Sequence, residues 1–225
     1  MANLGFKGSR EMDANPIAGA VNVLADKDTL AYYAELIKRK APEFFDLFTA
    51  GTEQQFEDAC EALVQEAVAH LERNKVNFSA LNEVGLTAVV VASLTMPGLK
   101  VTQEEHSNGH VDLTIEAEHC VPVRRKLGEA KIYSGPSYHE KGLGQLINRY
   151  STGREARGLL LNYVRKANIV DLIKNLRKAL DTNLPLKQKG PTQDHKLKWS
   201  FSSVHGHSSG EDLAIDHIGC NLYVK

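Results

Sequence analysis

Cysteine is scarce in this chain of 225 residues. Its three cysteines, Cys60, Cys120 and Cys220, are odd in number and far apart, which indicates neither a disulfide framework nor a CxxC zinc site. Long apolar runs are missing too, since the longest uncharged stretch, Val84–Leu99, is too short to span a bilayer. No basic segment followed by an apolar one opens the sequence. We therefore expect a cytoplasmic protein with no membrane partner.

Motifs of several enzyme classes are also absent. Without a Walker loop or a GxGxxG segment, the sequence gives no support to hydrolysis of nucleoside triphosphates within this chain. It has no GxSxG segment, which argues against a Ser-His-Asp hydrolase. The C-terminal histidines fit no tight zinc template, and we interpret them as polar residues in and around a hairpin. They are His195, His205, His207 and His217.

What the sequence does have is a strong charge asymmetry behind a net charge of −1. Residues 1–120 hold 9 Lys and Arg against 19 Asp and Glu, whereas residues 121–180 hold 13 against 4. A basic segment suits a polyanionic substrate, because phosphate contacts carry most of the affinity for nucleic acid. The alternative is an ordinary solvated face. The candidate phosphate contacts are Arg124, Arg125, Lys141, Arg149, Arg154 and Arg157.

Hydrophobic periodicity predicts helices in the acidic first part of the chain and an alternation of strands and helices after it. The hydrophobic content of 42% and the charged content of 24% are typical of a globular protein. This order predicts an α/β fold with a mixed central sheet flanked by helices. The predicted helices are Asp28–Lys40, Glu53–Asn74, Ser79–Thr95, Tyr138–Tyr150 and Ile169–Leu180, and the predicted core strands are Leu99–Glu105, His110–Glu118, Lys126–Tyr133 and Gly158–Arg165.

Three segments are predicted along the chain. Residues 1–78 form an acidic N-terminal helical extension, residues 79–182 form the core, and residues 183–225 form a linker and a C-terminal β-hairpin that packs on the core. The hairpin strands are Lys196–Val204 and Asp212–Val224. The acidic helices either support the core or contact a partner or a second copy of the chain.

Three charged residues on two neighbouring strands stand out. Side chains alternate along a strand, so Glu129 and Lys131 share one face of Lys126–Tyr133. A short connection to the preceding strand predicts an antiparallel hairpin, which lays Asp112 beside Glu129. Two carboxylates suit Mg²⁺, and a nearby lysine can neutralise charge that builds up on a phosphate. The alternative is a turn residue beside a solvated strand face.

The order of these residues resembles the core of the PD-(D/E)XK nuclease superfamily, whose restriction-endonuclease-like fold is a mixed sheet flanked by helices. The resemblance covers residues 79–178, and Val111 stands where the proline of the family name would be. It implies that Asp112 and Glu129 bind Mg²⁺ (or Mn²⁺) and that Lys131 is the catalytic lysine. Residues 79–182 would then be a nuclease core.

Two more residues match the resemblance. Glu83, on the helix before the first core strand, is the implied additional acid and metal ligand. Gln145, on the helix after the lysine strand, matches a glutamine that assists the reaction in many members. Tyr150 lies five residues after Gln145, one position beyond the spacing of some helicase-linked relatives, and is not part of the predicted site.

The resemblance implies a metal-dependent endonuclease that hydrolyses phosphodiester bonds of nucleic acid, with DNA as the expected substrate and antiviral (phage) defence as the expected setting. The alternative is a non-catalytic nucleic-acid-binding or assembly subunit of a larger complex, because nuclease folds also occur with inactive sites. An activating partner subunit that binds the acidic helices, or a homo-oligomer, is compatible with either function.

Overall fold

The computed structural model describes residues 27–103, 105–106 and 110–225. Their contacts form two units, one within residues 1–45 and one over residues 46–225. The first unit contains helix α1, Lys27–Lys40, and the start of helix α2, Pro42–Thr49. Three basic residues lie in the last turn of α1, where the helix dipole favours positive charge. None of the helices in the described part of the chain is both long and apolar enough to span a membrane.

The second unit alternates helices and strands, and it confirms the predicted α/β class with a mixed sheet. Its helices are α3 (Glu53–Arg73), α4 (Glu83–Leu94), α5 (Pro136–Gln145), a π-helical turn (Leu146–Tyr150) and α6 (Ile169–Asn183). Its strands are β1 (Lys100–Thr102), β2 (Glu105–His106), β3 (His110–Val111), β4 (Leu113–Ala117), β5 (Arg124–Ile132), β6 (Arg157–Val164), β7 (Gln193–Asp194), β8 (Phe201–Gly206) and β9 (Asp212–Asn221).

Within the described residues the main sheet has seven strands in the order β1-β4-β5-β6-β9-β8-β7. The central strands β5, β6 and β9 are parallel, and the outer pairs are antiparallel. The predicted hairpin between the two motif strands is confirmed, because β4 runs antiparallel to β5 with Leu113 opposite Gly128. Asp112 lies between β3 and β4, and the register therefore carries it to the level of Glu129.

The C-terminal hairpin is part of the main sheet. Strands β8 and β9 are antiparallel as predicted, but β9 also pairs in parallel with β6 from Arg157 to Val164 and lies inside the sheet. Strand β9 is buried over most of its length, as is usual for a central parallel strand covered on both faces. The boundaries at residues 78 and 182 stay a prediction about domains.

Apolar side chains cover both faces of the sheet. One cluster, which includes Phe56 and Leu86, lies under α3 and α4, and the other, which includes Leu143 and Leu176, lies under α5 and α6. Because side chains alternate along β5, Ala130 packs in the first cluster and Leu127 packs in the second. Tyr133, just beyond the end of the strand, also packs in the second cluster. The charged pair predicted on β5 therefore faces the α5 side of the sheet.

Two of the C-terminal histidines are fully buried, which corrects the interpretation of them as polar hairpin residues. Ser203 Oγ lies 2.7 Å from His217 Nε2 and 2.8 Å from His205 Nε2. His217 Nδ1 lies 2.8 Å from His139 Nε2, and His139 Nδ1 lies 2.7 Å from Asn162 Oδ1. Burial lowers the pKa of His139 to about 4, so its imidazole is neutral at pH 7. These polar groups tie α5 to β6, β8 and β9.

Candidate active site at the end of strand β5

The second half of β5 carries a buried ion pair. Glu129 and Lys131 project from the same face, and Lys131 Nζ lies 2.5 Å from Glu129 Oε1. The Glu129 side chain has no solvent exposure and that of Lys131 is 11% exposed. No hydrogen-bond donor among the described residues reaches Glu129 Oε2. A buried carboxylate oxygen without a partner is costly, and it marks the place where a cation would be stabilised most.

The hairpin brings a second acid to this pair. Asp112 Oδ2 accepts a hydrogen bond from the backbone N–H of Ala130 at 3.0 Å, which fixes the side chain across the β4–β5 connection. The same oxygen lies 3.7 Å from Lys131 Nζ. The structure therefore places Asp112 beside the Glu129–Lys131 pair, in the arrangement that the alternation and the short connection predict.

A third acid comes from the first residue of α4. The helix starts at Glu83, and not at the predicted Ser79, because the Asn82 side chain caps it by accepting from Gly85 N–H. Glu83 Oε2 accepts a hydrogen bond from Ile132 N–H at 2.7 Å, and Glu83 Oε1 lies 3.5 Å from Lys131 Nζ. Three carboxylates thus surround one ammonium group.

Lys131 and Glu129 differ in their protonation at neutral pH, because the cluster shifts the pKa of each side chain. Burial and the negative charge of Asp112 raise the pKa of Glu129 to about 7, and the ion pair with Lys131 offsets only part of this rise. Burial lowers the pKa of Lys131, but the carboxylates of Glu129, Asp112 and Glu83 outweigh burial and raise it above its usual range. Lys131 is therefore protonated at neutral pH, while Glu129 is poised between its two protonation states.

Gln145 ends α5, and the π-helical turn that follows brings Tyr150 to it. Tyr150 was not part of the predicted site, because its distance from Gln145 along the chain is one position more than in some helicase-linked relatives. The π-helical bond from Ser151 N–H to Leu146 O widens this turn, and Gln145 Nε2 donates to the Tyr150 hydroxyl at 3.3 Å.

Tyr150 is a site residue that the sequence did not reveal. Burial raises the pKa of its phenol, and the negative charges of Glu129 and Asp112 raise it further, which means that the phenol feels the acidic cluster. No motif in the sequence marks the π-helical turn. A spacing of five between a glutamine and a tyrosine in a helix is the one signal that points to it.

A second residue missed in the sequence is Gly142 on α5. A Cβ atom at this position would lie 3.1 Å from Lys131 Cγ and 3.4 Å from Glu129 Cγ. The absence of a side chain lets α5 approach β5 closely enough to hold both charged side chains. A Cβ atom at Gly144, two residues later, would meet only side chains at ordinary contact distance, Leu186 at 3.8 Å and Asn148 at 4.0 Å. In the sequence, the presence of two glycines within one predicted helix was the signal that could have indicated a close approach of α5 to the sheet.

The six basic residues predicted as phosphate contacts do not share one surface. Arg124 is ion-paired with Glu53, Arg125 with Glu116 and Arg157 with Asp216. Lys141 and Arg149 form no ion pair with a carboxylate within the described residues, and they line a groove of about 490 Å³. The remaining groove residues are Gly144, Gln145 and Asn148. Arg154 lines a different groove, of about 480 Å³, with Arg124 and Arg125.

The donor set of the cluster fits a hard divalent cation, because all its ligand atoms are carboxylate oxygens and Glu129 Oε2 is unpartnered. Over the described ranges no group of three or more His, Cys, Asp and Glu side chains is arranged to hold a metal ion. The physical reason is visible in the distances, since the three carboxylates converge on Lys131 Nζ. Asp112 and Glu129 are the two acids that would hold an ion together with a substrate phosphate.

Comparison of the chain with protein-family models, with curated proteins and with solved structures gives no match.

Proposed function

We propose that this protein is a metal-dependent endonuclease of the PD-(D/E)XK type, which hydrolyses phosphodiester bonds of nucleic acid and takes DNA as its main substrate. The observation that carries the proposal is the convergence of Glu83, Asp112 and Glu129 on the ammonium group of Lys131. The order of the elements along the chain is also that of the superfamily. A helix with an acid comes first, and it is followed by a hairpin with Asp, a strand with Glu-x-Lys and a helix with Gln.

The roles of the residues follow from their surroundings. Asp112 and Glu129 supply the oxygens for Mg²⁺ or Mn²⁺, and such an ion provides Lewis acidity toward the phosphate. Lys131 keeps its proton at neutral pH, so its ammonium can neutralise charge that develops on a phosphate oxygen. Glu83 is bound to the Ile132 amide and acts as a positioning residue for Lys131.

The groove beside α5 gives the nucleic acid a path to the site. It joins the site through Gln145, which lines the groove and donates to the Tyr150 hydroxyl. Lys141 and Arg149 are exposed, and both are available to phosphates. The ion-paired arginines Arg124 and Arg157 already hold carboxylates, and breaking those pairs would offset the gain from a phosphate contact.

Charge reversal in this groove tests the path. We expect Lys141→Glu and Arg149→Glu each to weaken binding of a short DNA duplex about tenfold at about 0.1 M salt, and to lower the slope of log K against log salt by about one. The measurement is fluorescence anisotropy over a salt series. Arg154→Glu, in the other groove, is the matched control and should change affinity less than about twofold. Equal losses in all three variants would contradict a path along α5.

A second function is supported by the charge balance of the site. Lys131 forms ion pairs with all three carboxylates within the fold, and a non-catalytic nucleic-acid-binding or assembly subunit would also tolerate such a cluster. The activating partner, the homo-oligomer, the cytoplasmic location and the role in phage defence stay predictions from the sequence.

The deciding experiment is a cleavage assay with supercoiled plasmid, linear duplex, single-stranded DNA and RNA, in Mg²⁺, Mn²⁺ or EDTA. A nuclease cleaves at least one substrate with metal and none in EDTA. Binding of nucleic acid without cleavage in any metal would favour the non-catalytic subunit. Cleavage that persists in EDTA would contradict the metal-dependent reaction.

A further inference from the structure

The ammonium group of Lys131 stands where the three carboxylates of the cluster meet. Its distances to Glu129, Glu83 and Asp112 are 2.5, 3.5 and 3.7 Å. Two of these acids are also held by backbone amides, Asp112 by Ala130 N–H and Glu83 by Ile132 N–H. Two of the acids are therefore fixed by backbone amides, whereas the Lys131 ammonium contacts the cluster only through ion pairs with carboxylate side chains.

The Lys131 ammonium balances only part of the negative charge of the cluster and leaves one buried carboxylate oxygen without a hydrogen bond. Glu129 is 1% exposed, and its Oε2 has no hydrogen-bond partner among the described residues. One positive charge faces three carboxylates, and two of these remain partly exposed, each with 28% of its side chain accessible. A divalent cation offers twice the charge and can accept several oxygens at once. It would compete with the ammonium for the same oxygens.

We propose that Lys131 is a built-in competitor of the divalent ion, so that the ion binds only when the ammonium leaves the carboxylate cluster. This inference rests on the proposed function, and it adds a regulatory role to a residue with a role in the reaction. An ammonium that has left the cluster needs a new anionic partner, and a substrate phosphate is the anion that the reaction brings. Metal binding and nucleic-acid binding are then cooperative, because each favours the displaced lysine.

The test measures Mn²⁺ affinity without nucleic acid, by isothermal titration calorimetry on the full chain. We expect Lys131→Gln to bind Mn²⁺ at least about tenfold more tightly than the wild type, because the neutral amide cannot compete as a cation. Thermal stability gives a second readout. Lys131→Gln should melt below the wild type in EDTA, and Mn²⁺ should raise its melting temperature by more than it raises that of the wild type. Lys189→Gln, which removes a lysine paired with Asp212, is the control and should match the wild type.

Each outcome decides a different question. Equal Mn²⁺ affinity in the wild type and in Lys131→Gln would overturn the competition while leaving the metal site intact. No Mn²⁺ binding by either protein would overturn the metal site itself, and with it the proposed function. If Lys131→Gln is unfolded in EDTA, its folding midpoint in a Mn²⁺ titration, followed by circular dichroism, supplies the affinity. Failure of this variant to fold in millimolar Mn²⁺ would also overturn the competition.

Discussion

A Glu129→Gln variant should keep its fold and lose at least about 10³-fold in kcat/KM for cleavage, which corresponds to about 4 kcal/mol of transition-state stabilisation. Glutamine has nearly the same shape, but its neutral amide is a poor ligand for Mg²⁺ and removes one of the two acids expected to bind it. The measurement is the initial rate of cleavage in Mg²⁺ over a range of substrate concentrations. Glu116→Gln, on the outer part of the same hairpin and paired with Lys100, is the control, and its rate should stay within about twofold of the wild type.

Stability separates this loss from unfolding. The folded pKa of Glu129 is raised to about 7, so the folded state favours the protonated acid. Its favourable contribution is full below the unfolded pKa of about 4.3 and is lost as the pH rises through about 7. In EDTA at pH 8, Glu129→Gln should therefore melt no lower than the wild type. A folded variant that keeps full activity would contradict the role of Glu129, and a variant that melts well below the wild type at pH 8 would contradict the predicted effect on stability.

Gly142→Ala should lower kcat about tenfold or more while Gly144→Ala leaves it unchanged. Alanine gains up to about 1 kcal/mol over glycine inside a helix, and this gain applies to both positions. At position 142 the added methyl presses on Lys131 Cγ at 3.1 Å and on Glu129 Cγ at 3.4 Å, so these side chains must shift by a few tenths of an ångström. Small displacements of reacting groups are expensive in rate.

The measurement compares kcat and melting temperature in the two alanine variants. Gly144→Ala should be more stable by roughly 0.5–1 kcal/mol, since the added methyl meets no atom closer than Leu186 at 3.8 Å. Gly142→Ala should show little net change in stability, because overpacking offsets the helix gain. Equal activity of the two variants would show that α5 does not set the position of Lys131.

The parts of the site that the sequence predicted are those set by local rules. Alternation along one strand puts Glu129 and Lys131 on one face, and a short connection brings Asp112 across from them. The α/β class followed from the order of apolar segments in the same way. Both inferences need only neighbours along the chain or across one hairpin.

The parts that could not be predicted depend on distant partners or on unusual backbone. Arg124 is ion-paired with Glu53, 71 residues earlier in the chain. The charge count of the basic segment therefore overestimated how many of its cations are available to phosphates. Tyr150 reaches Gln145 through a π-helical turn that has no sequence signature. Strand β9 pairs with β6, which lies about 50 residues earlier in the chain. This pairing depends on packing over both faces of the sheet, and the hairpin alone does not reveal it.

The insertion of β9 between β6 and β8 has a consequence for synthesis on the ribosome. Until residues 212–221 emerge, β6 presents an open row of backbone donors and acceptors, and Lys126 lacks its contact with Asp216. The strand that carries Glu129 is translated 80 or more residues before β9, and the sheet beside β6 is completed only after β9 has emerged. A chain interrupted before β9 is therefore expected to aggregate through the open edge of β6 and not to fold as a smaller stable domain.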